Sequence, residues 1–193
     1  KIGSQNVLTT LFSTDDTKKN EDFSEKTIAE LVRACFEMGK VKTGALIVIE
    51  RGTPLGEIER TGIEVDGIVT SQLLINIFEH NTPLHDGAVV IRGNRVTAAT
   101  CYLPLSDNMD ISKALGTRHR AAVGVSEATD SVTLVVSEET GRVSVAVSGR
   151  LKSVKDGDEL RDILSVLVKR ETENTGRFRI WKGRRRNERK ADE

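Results

Sequence analysis

The chain is poor in aromatic residues and has no long apolar run, and each shortage excludes a class of protein. Aromatic side chains make up 4% of the 193 residues, too few to suggest an aromatic platform on which bases stack. The longest apolar run, residues 45–49, falls far short of the roughly 20 residues that span a bilayer. No secretory signal peptide is visible. The remaining composition is that of a globular protein, and the length fits one domain.

Cysteine and histidine are also scarce. Cys35 and Cys101 lie far apart within apolar patterns, and we expect buried, reduced thiols in an intracellular protein; a disulfide or a metal pair is the alternative. The three histidines are dispersed, without the spacing of a zinc site. A Walker loop, a Gly-x-Gly-x-x-Gly turn after a strand and a Ser-His-Asp signature are all missing. The common short signatures of nucleotide binding and hydrolysis are therefore absent.

The charges balance overall but are distributed unevenly. Residues 177–193 contain eight basic and three acidic residues, so the chain before them is net negative. The basic run at 184–186 could attract nucleic acid or anionic lipid, but we favour a solvated terminus. An acidic body argues against nucleic acid as a partner. We therefore predict a polar N-terminal segment (1–23), a folded domain (24–172) and a basic tail (173–193).

Apolar periodicity predicts a fold of mixed helices and strands. Helices are predicted from a cap at Ser24 to residue 39, from residue 70 or 71 to before Pro83, from 116–117 to about 128, and from Asp156 onward. Glu159 is placed as the capping-box partner of Asp156. The last helix has an apolar face made of Leu160, Ile163, Leu164, Leu167 and Val168.

Runs of β-branched residues predict the strands. Residues 44–49 indicate a strand buried on both faces, and residues 51–67 indicate a loop with a short strand near 63–65. Two hairpins are predicted, one over 88–102 with a Gly93-Asn94 turn and one over 132–148. Because helices and strand pairs alternate irregularly, we expect a single α/β domain with a mixed central β-sheet flanked by helices.

Two segments carry polar residues that packing alone does not need. The first is His-Asp-Gly-Ala at 85–88, at the start of an apolar strand: Asp86 is either a turn former or a carboxylate held on a rigid edge. The second is Gly-Thr-Arg-His-Arg at 116–120, where Thr117 is a natural N-cap. Arg118 and Arg120 oppose the helix dipole, which is sensible if a polyanion binds there; pairing with surface acids is the alternative.

Two further segments are weaker candidates. Ser137, Glu138 and Glu139 place a hydroxyl and two carboxylates at a strand end, where a solvated hairpin turn is the alternative. Tyr102 is the only tyrosine and follows a strand. Its ring could stack on a nucleobase, and the alternative is a core or rim aromatic.

The motifs at 82–88 (Thr-Pro-Leu-His-Asp-Gly-Ala) and 116–122 (Gly-Thr-Arg-His-Arg-Ala-Ala) together resemble the paired signature of diadenylate cyclases, which make cyclic di-AMP from two ATP. The likeness extends from about residue 44 through 148. It is nearer to the membrane-anchored type of cyclic di-AMP synthase, which carries transmembrane helices before the cyclase domain. The resemblance implies a full-length protein at the cytoplasmic face of the plasma membrane, with protein regulators. This chain would be its soluble cytosolic fragment, without the anchor.

The resemblance also implies roles for individual residues. It assigns catalysis on ATP, across a face-to-face homodimer, to Asp86, Gly87, Ala88, Arg118, His119 and Arg120. It assigns ATP binding to Tyr102, Leu103, Gly116, Thr117, Ser137 and Glu138. It assigns a Mn²⁺ or Mg²⁺ site to His85, Asp86 and Glu139. The alternative function is a non-catalytic module that binds ATP or a cyclic dinucleotide.

Overall fold

The computed structural model describes residues 23–108 and 115–166. The basic tail predicted for 173–193, nearly all of the polar segment predicted for 1–23, and Leu167 and Val168 lie outside the described residues. Within residues 23–108 and 115–166, no helix is both long and apolar enough to cross a membrane.

Five helices and seven strands make up the described part of the chain. The helices are α1 (Glu25–Lys40), α2 (Gly56–Glu59), α3 (Ser71–Phe78), α4 (Thr117–Ala128) and α5 (157–166). The strands are β1 (Ala45–Ile49), β2 (Ile63–Ile68), β3 (Ala88–Arg92), β4 (Arg95–Cys101), β5 (Val132–Val136), β6 (Val143–Val147) and β7 (Arg150–Ser153).

The strands form one mixed sheet in the order β2-β4-β3-β1-β5-β6-β7. β1 pairs in parallel with β3, and every other neighbouring pair is antiparallel. Helices α1, α3 and α5 pack on one face, whereas α2 and α4 pack on the other. All five residues of β1 are buried, because both faces of this central strand are covered. The predicted mixed sheet flanked by helices is confirmed.

Side-chain caps fix three helix starts where the sequence predicts them. The hydroxyls of Ser24 and Thr70 each accept a hydrogen bond at 3.1 Å from the backbone N–H three residues further on. Asp156 accepts from the Glu159 N–H at 2.9 Å. The Glu159 carboxylate reaches back to the N–H of Lys155 at 2.8 Å, one residue before the cap, so the capping box is offset by one position.

The prediction of a loop over 51–67 is wrong in two places. A single helical turn, α2, forms within it, and β2 extends to Ile68. β7 was not predicted at all. α2 is too short to show a helical period. β2 contains the strand predicted near 63–65, and its alternation of apolar and polar residues ends at Gly67, before the strand does. β7 is an edge strand whose mostly exposed side chains do not alternate between apolar and polar.

Candidate active site

Two cavities meet at the start of α4. One, the hairpin cavity, has a volume of about 500 Å³ and lies at the open end of the β3–β4 hairpin, where Asp86 and Tyr102 line it. The other, the turn cavity, has a volume of about 350 Å³ and lies beside the β5–β6 turn, where Glu138 lines it. Thr117 and Arg118 line both cavities. The first turn of α4 is therefore the shared wall of a two-part site.

Close packing of two strands holds the Asp86 edge of the hairpin cavity. Gly87 has a φ of +102°, and a Cβ there would lie 2.8 Å from the carbonyl carbon of Thr100. Thr100 itself has a φ of 56°, where the pairing of β3 with β4 shifts register at a bulge. Ala88 is fully buried as the first residue of β3, and Asp86 remains exposed. The carboxylate thus stands on a rigid edge next to a glycine.

Tyr102 lies at the rim of the hairpin cavity and is 77% exposed. Its N–H donates a hydrogen bond to the Thr61 hydroxyl at 2.9 Å, which ties the end of β4 to the segment before β2. Leu103 is half-buried and packs on the core face that carries α4. Tyr102 is therefore a rim aromatic and not a core aromatic, and its exposed side chain borders the cavity.

The start of α4 differs from the prediction. Gly116 is the N-cap, with extended backbone (φ −72°, ψ −179°), and Thr117 is the first helical residue, so the prediction that Thr117 caps the helix is wrong. A glycine has no side chain with which to satisfy the N–H groups of the first turn. These groups and the helix dipole therefore face the shared wall without a side-chain cap, an arrangement that favours an anion.

Arg118 is the basic residue that reaches both cavities. Its Nη1 lies 2.5 Å from Oε2 of Glu138, so pairing with a surface acid, the alternative considered above, does occur at Arg118. The Arg118 side chain is 22% exposed, compared with 52% for Glu138. The ion pair joins the start of α4 to the β5–β6 turn and places the guanidinium between the two cavities.

His119 lines only the turn cavity, and Arg120 lines neither cavity. Burial lowers the pKa of His119 and outweighs the opposite effect of the Glu139 carboxylate, while the Arg118 charge lowers it further. His119 is therefore neutral at pH 7 and lines the turn cavity as a hydrogen-bonding group, not as a cation. Arg120 is half-buried and lines neither cavity, and its carbonyl accepts from the Ser106 N–H at 3.0 Å.

The β5–β6 turn combines a structural role with a place in the site. The Ser137 hydroxyl accepts from the Thr140 N–H at 3.2 Å, and the Ser137 N–H donates to the carbonyl of Arg142 at 3.0 Å. The interpretation as a hairpin turn is correct. Ser137, Glu138 and Glu139 also line the turn cavity, so this short segment forms the hairpin turn and contributes to the site.

The three residues predicted to hold a metal are not gathered within one chain. Asp86 lines the hairpin cavity and Glu139 the turn cavity, whereas His85 lines neither and its Nδ1 lies 2.6 Å from the Thr82 carbonyl oxygen. Among the residues that the structure describes, no three His, Cys, Asp or Glu side chains lie close enough together to hold a metal ion. One chain alone does not provide a fitting donor set.

Sequence reasoning missed several residues of the hairpin cavity. Thr61 and Thr100 line it, and so does the buried Cys101. No local motif marks them, because the bulge that turns Thr100 toward the cavity depends on pairing between strands. A positive φ at a β-branched residue is uncommon and cannot be recognised from the residue type.

Comparison with known proteins decides the family. Residues 32–151 match the family described as DAC, DisA bacterial checkpoint controller nucleotide-binding. The chain belongs to this family. The matched region contains all the predicted site residues, from His85 to Glu139, and with them the residues of both cavities that were predicted.

Relatives of this DAC-family chain are known in several bacteria. Cyclic di-AMP synthase CdaA of Bacillus subtilis (strain 168) is 50% identical over 86% of this chain and 61% of that protein. A diadenylate cyclase of Listeria monocytogenes serotype 1/2a is 48% identical over 81% of this chain and 58% of that protein. The chain thus spans less than two thirds of the length of either relative.

A solved structure supports the fold directly. The crystal structure of a double mutant of DacA from Staphylococcus aureus superposes with a TM-score of 0.71 at 48% identity. The match covers 73% of this chain and 94% of that one. The single α/β domain seen in this chain is therefore an architecture that the DAC family also shows by experiment.

Proposed function

We propose that this chain is a diadenylate cyclase, which condenses two ATP into cyclic di-AMP and two pyrophosphates. The observation that carries the proposal is the shared wall at Thr117 and Arg118, which joins a cavity bordered by an aromatic ring to one that suits phosphates. The adenine lies against Tyr102 and the backbone of Leu103 in the hairpin cavity. The triphosphate crosses the uncapped start of α4 into the turn cavity.

The chemistry consists of two identical nucleotidyl transfers. The 3′-hydroxyl oxygen of one ATP attacks the α-phosphorus of the other, the bond between the α- and β-phosphates breaks, and pyrophosphate leaves. Asp86 accepts the proton of the attacking hydroxyl, a role that suits an exposed carboxylate on a rigid edge. Arg118 and the N–H groups of α4 stabilise the charge that grows on the leaving group. The second transfer closes the ring.

A face-to-face homodimer supplies the geometry for that second transfer. The product has twofold symmetry, so two identical sites related by a twofold axis present each hydroxyl to the other nucleotide's α-phosphate. The exposure of Asp86 at the cavity rim supports this arrangement, because the carboxylate is free to meet a nucleotide held by a partner subunit. Neither motif forms a complete site within one chain.

A divalent cation, Mn²⁺ or Mg²⁺, belongs to the same proposal. His85, Asp86 and Glu139 remain the proposed ligands, and an imidazole among them favours Mn²⁺. Because one chain does not gather these three groups, the phosphates or the partner subunit would have to complete the site.

The proposal also includes attachment to the cytoplasmic face of the plasma membrane through a segment outside this chain, and protein regulators, both of which the family resemblance implies. The catalytic domain is proposed to span 24–172, the limits that the sequence pattern indicates.

The variant Asp86→Asn tests the catalytic assignment. We expect ATP affinity within a few-fold of the unmodified protein and a loss of cyclic di-AMP formation on the order of 10²–10⁴-fold, the usual size of a general-base contribution. Affinity is measured by titration calorimetry and product by mass spectrometry, with Mn²⁺ and with Mg²⁺. Asp158→Asn, an exposed change on α5, is the matched control. Undiminished turnover by Asp86→Asn would remove this carboxylate from the chemistry.

Two outcomes for the unmodified chain decide the rest of the proposal. Specific activity that rises with protein concentration supports catalysis across a dimer interface. ATP binding with no cyclic product at any concentration would instead favour the non-catalytic binding module.

A further inference from the structure

Gly44 lies directly before β1 and is buried beneath the ion pair that separates the two cavities. Its φ lies outside the left-handed region, so the backbone conformation does not require glycine. A Cβ at this position would lie 2.8 Å from Nη1 and 3.0 Å from Cζ of Arg118, and 3.0 Å from Oε2 of Glu138. The space that a side chain would need is occupied by the Arg118–Glu138 pair.

The kind of atom in contact distinguishes Gly44 from Gly87 and Gly124, two other tightly packed glycines near the site. At Gly87 and Gly124 the three nearest atoms to an added Cβ all belong to the backbone, which cannot move without displacing a strand or loop. At Gly44 all three belong to the ends of two flexible side chains. A methyl group at position 44 would therefore displace the guanidinium and leave the sheet in place.

We propose that Gly44 is a positioning residue for the cyclase reaction. Because Gly44 has no side chain, the Arg118 guanidinium can pair with Glu138 at the shared wall. There the guanidinium faces both the nucleoside and the phosphates. The inference rests on the proposed function, because it takes the two cavities as the ATP site. Small displacements matter there, since a shift of about 1 Å in a group that orients substrate lowers rates by up to roughly 100-fold.

The variant Gly44→Ala tests this inference, with Gly56→Ala as the matched control, because a Cβ at Gly56 would meet nothing within 4 Å. We expect Gly44→Ala to lower kcat/KM by about 10- to 100-fold, with kcat falling more than KM rises. The thermal midpoint should fall by only a few degrees. Gly56→Ala should match the unmodified protein in kcat and KM.

A double-mutant cycle shows whether Gly44 acts through Arg118. In the Arg118→Ala background the obstructing guanidinium is gone, so adding Gly44→Ala should lower neither the urea midpoint nor any remaining ATP affinity further. The urea midpoint needs no ATP, so this arm remains informative if the chain proves not to be a cyclase. Wild-type turnover in Gly44→Ala, or an equal lowering of the urea midpoint with and without Arg118, would overturn the inference.

Discussion

Replacing Gly87 with alanine should destabilise the fold through two separate effects. The residue has a φ of +102°, which an L-alanine adopts at a penalty of about 1–2 kcal/mol. The new Cβ would also lie 2.8 Å and 2.9 Å from two backbone atoms of Thr100 and 3.0 Å from the carbonyl oxygen of Cys101. Forcing extra volume into such a close contact typically adds about 1–3 kcal/mol. The expected loss in the free energy of unfolding is therefore about 2–5 kcal/mol.

Two other glycines separate those effects. Gly149 has a φ of +74°, but its added Cβ would meet only the Glu127 side chain, at 3.0 Å or more. Gly149→Ala should therefore show the backbone penalty alone, about 1–2 kcal/mol. Gly56 lies in a helix with open space around it, and Gly56→Ala should be neutral or stabilising by up to about 1 kcal/mol.

Urea unfolding of the three variants, followed by circular dichroism, measures the series directly. Gly87→Ala should lose the most free energy of unfolding, Gly149→Ala less, and Gly56→Ala the least. If Gly87→Ala proved no more destabilising than Gly149→Ala, β3 and β4 would not be locked together at this edge. Asp86 would then not lie on a rigid edge.

Two further predictions concern titratable groups away from the site's shared wall. Burial raises the pKa of Asp130, but hydrogen bonds from the N–H groups of Thr53 and Gly52 outweigh it, so the pKa lies below its ordinary 3.8. The stabilisation, at most about 1 kcal/mol at this exposed site, is present above that value and lost as the pH falls through the folded-state pKa. Above about pH 5, the free energy of unfolding in urea should exceed that of Asp130→Asn by a constant amount, and this difference should disappear in acid. A difference that stays unchanged down to about pH 2 would contradict the prediction. Burial raises the pKa of Cys35 to about 12 and that of Cys101 to about 11, so neither thiol should react with Ellman's reagent at about pH 8 until the chain unfolds. Rapid labelling of the native protein would show that at least one thiol is accessible.

Much of the fold follows from local patterns, and the exceptions share a physical cause. The caps at Ser24 and Thr70 depend on residues three positions apart, and the hairpin turn at Gly93-Asn94 on two adjacent ones. β7 is an edge strand with three of its four residues exposed, so its position comes from pairing with β6 and leaves no alternating pattern.

The candidate site was predictable by its motifs but not by its geometry. The catalytic role of Asp86 came from the resemblance, whereas Arg118 was already a candidate because its charge opposes the helix dipole, and the two residues do line a common cavity. That Arg118 also lines the turn cavity depends on its pairing with Glu138, 20 residues further on, and on the space left by Gly44. Burial of His119, which makes it neutral, is likewise set by packing between elements. Such contacts cannot be deduced from residue types.

The central position of β1 determines the order in which the sheet can assemble during synthesis. Ile47 pairs with Val89 on one side and with Leu134 on the other, so this early strand needs partners that the ribosome produces much later. The β3–β4 and β5–β6 hairpins can form from neighbouring residues, whereas docking β1 between them requires slow, long-range closure. One hairpin carries the Asp86 edge and the other leads to Glu138. A nascent chain therefore cannot complete the turn cavity until β7 has emerged, because Leu151 and Ser153 line it. The sheet that joins the two cavities forms only when its oldest strand docks.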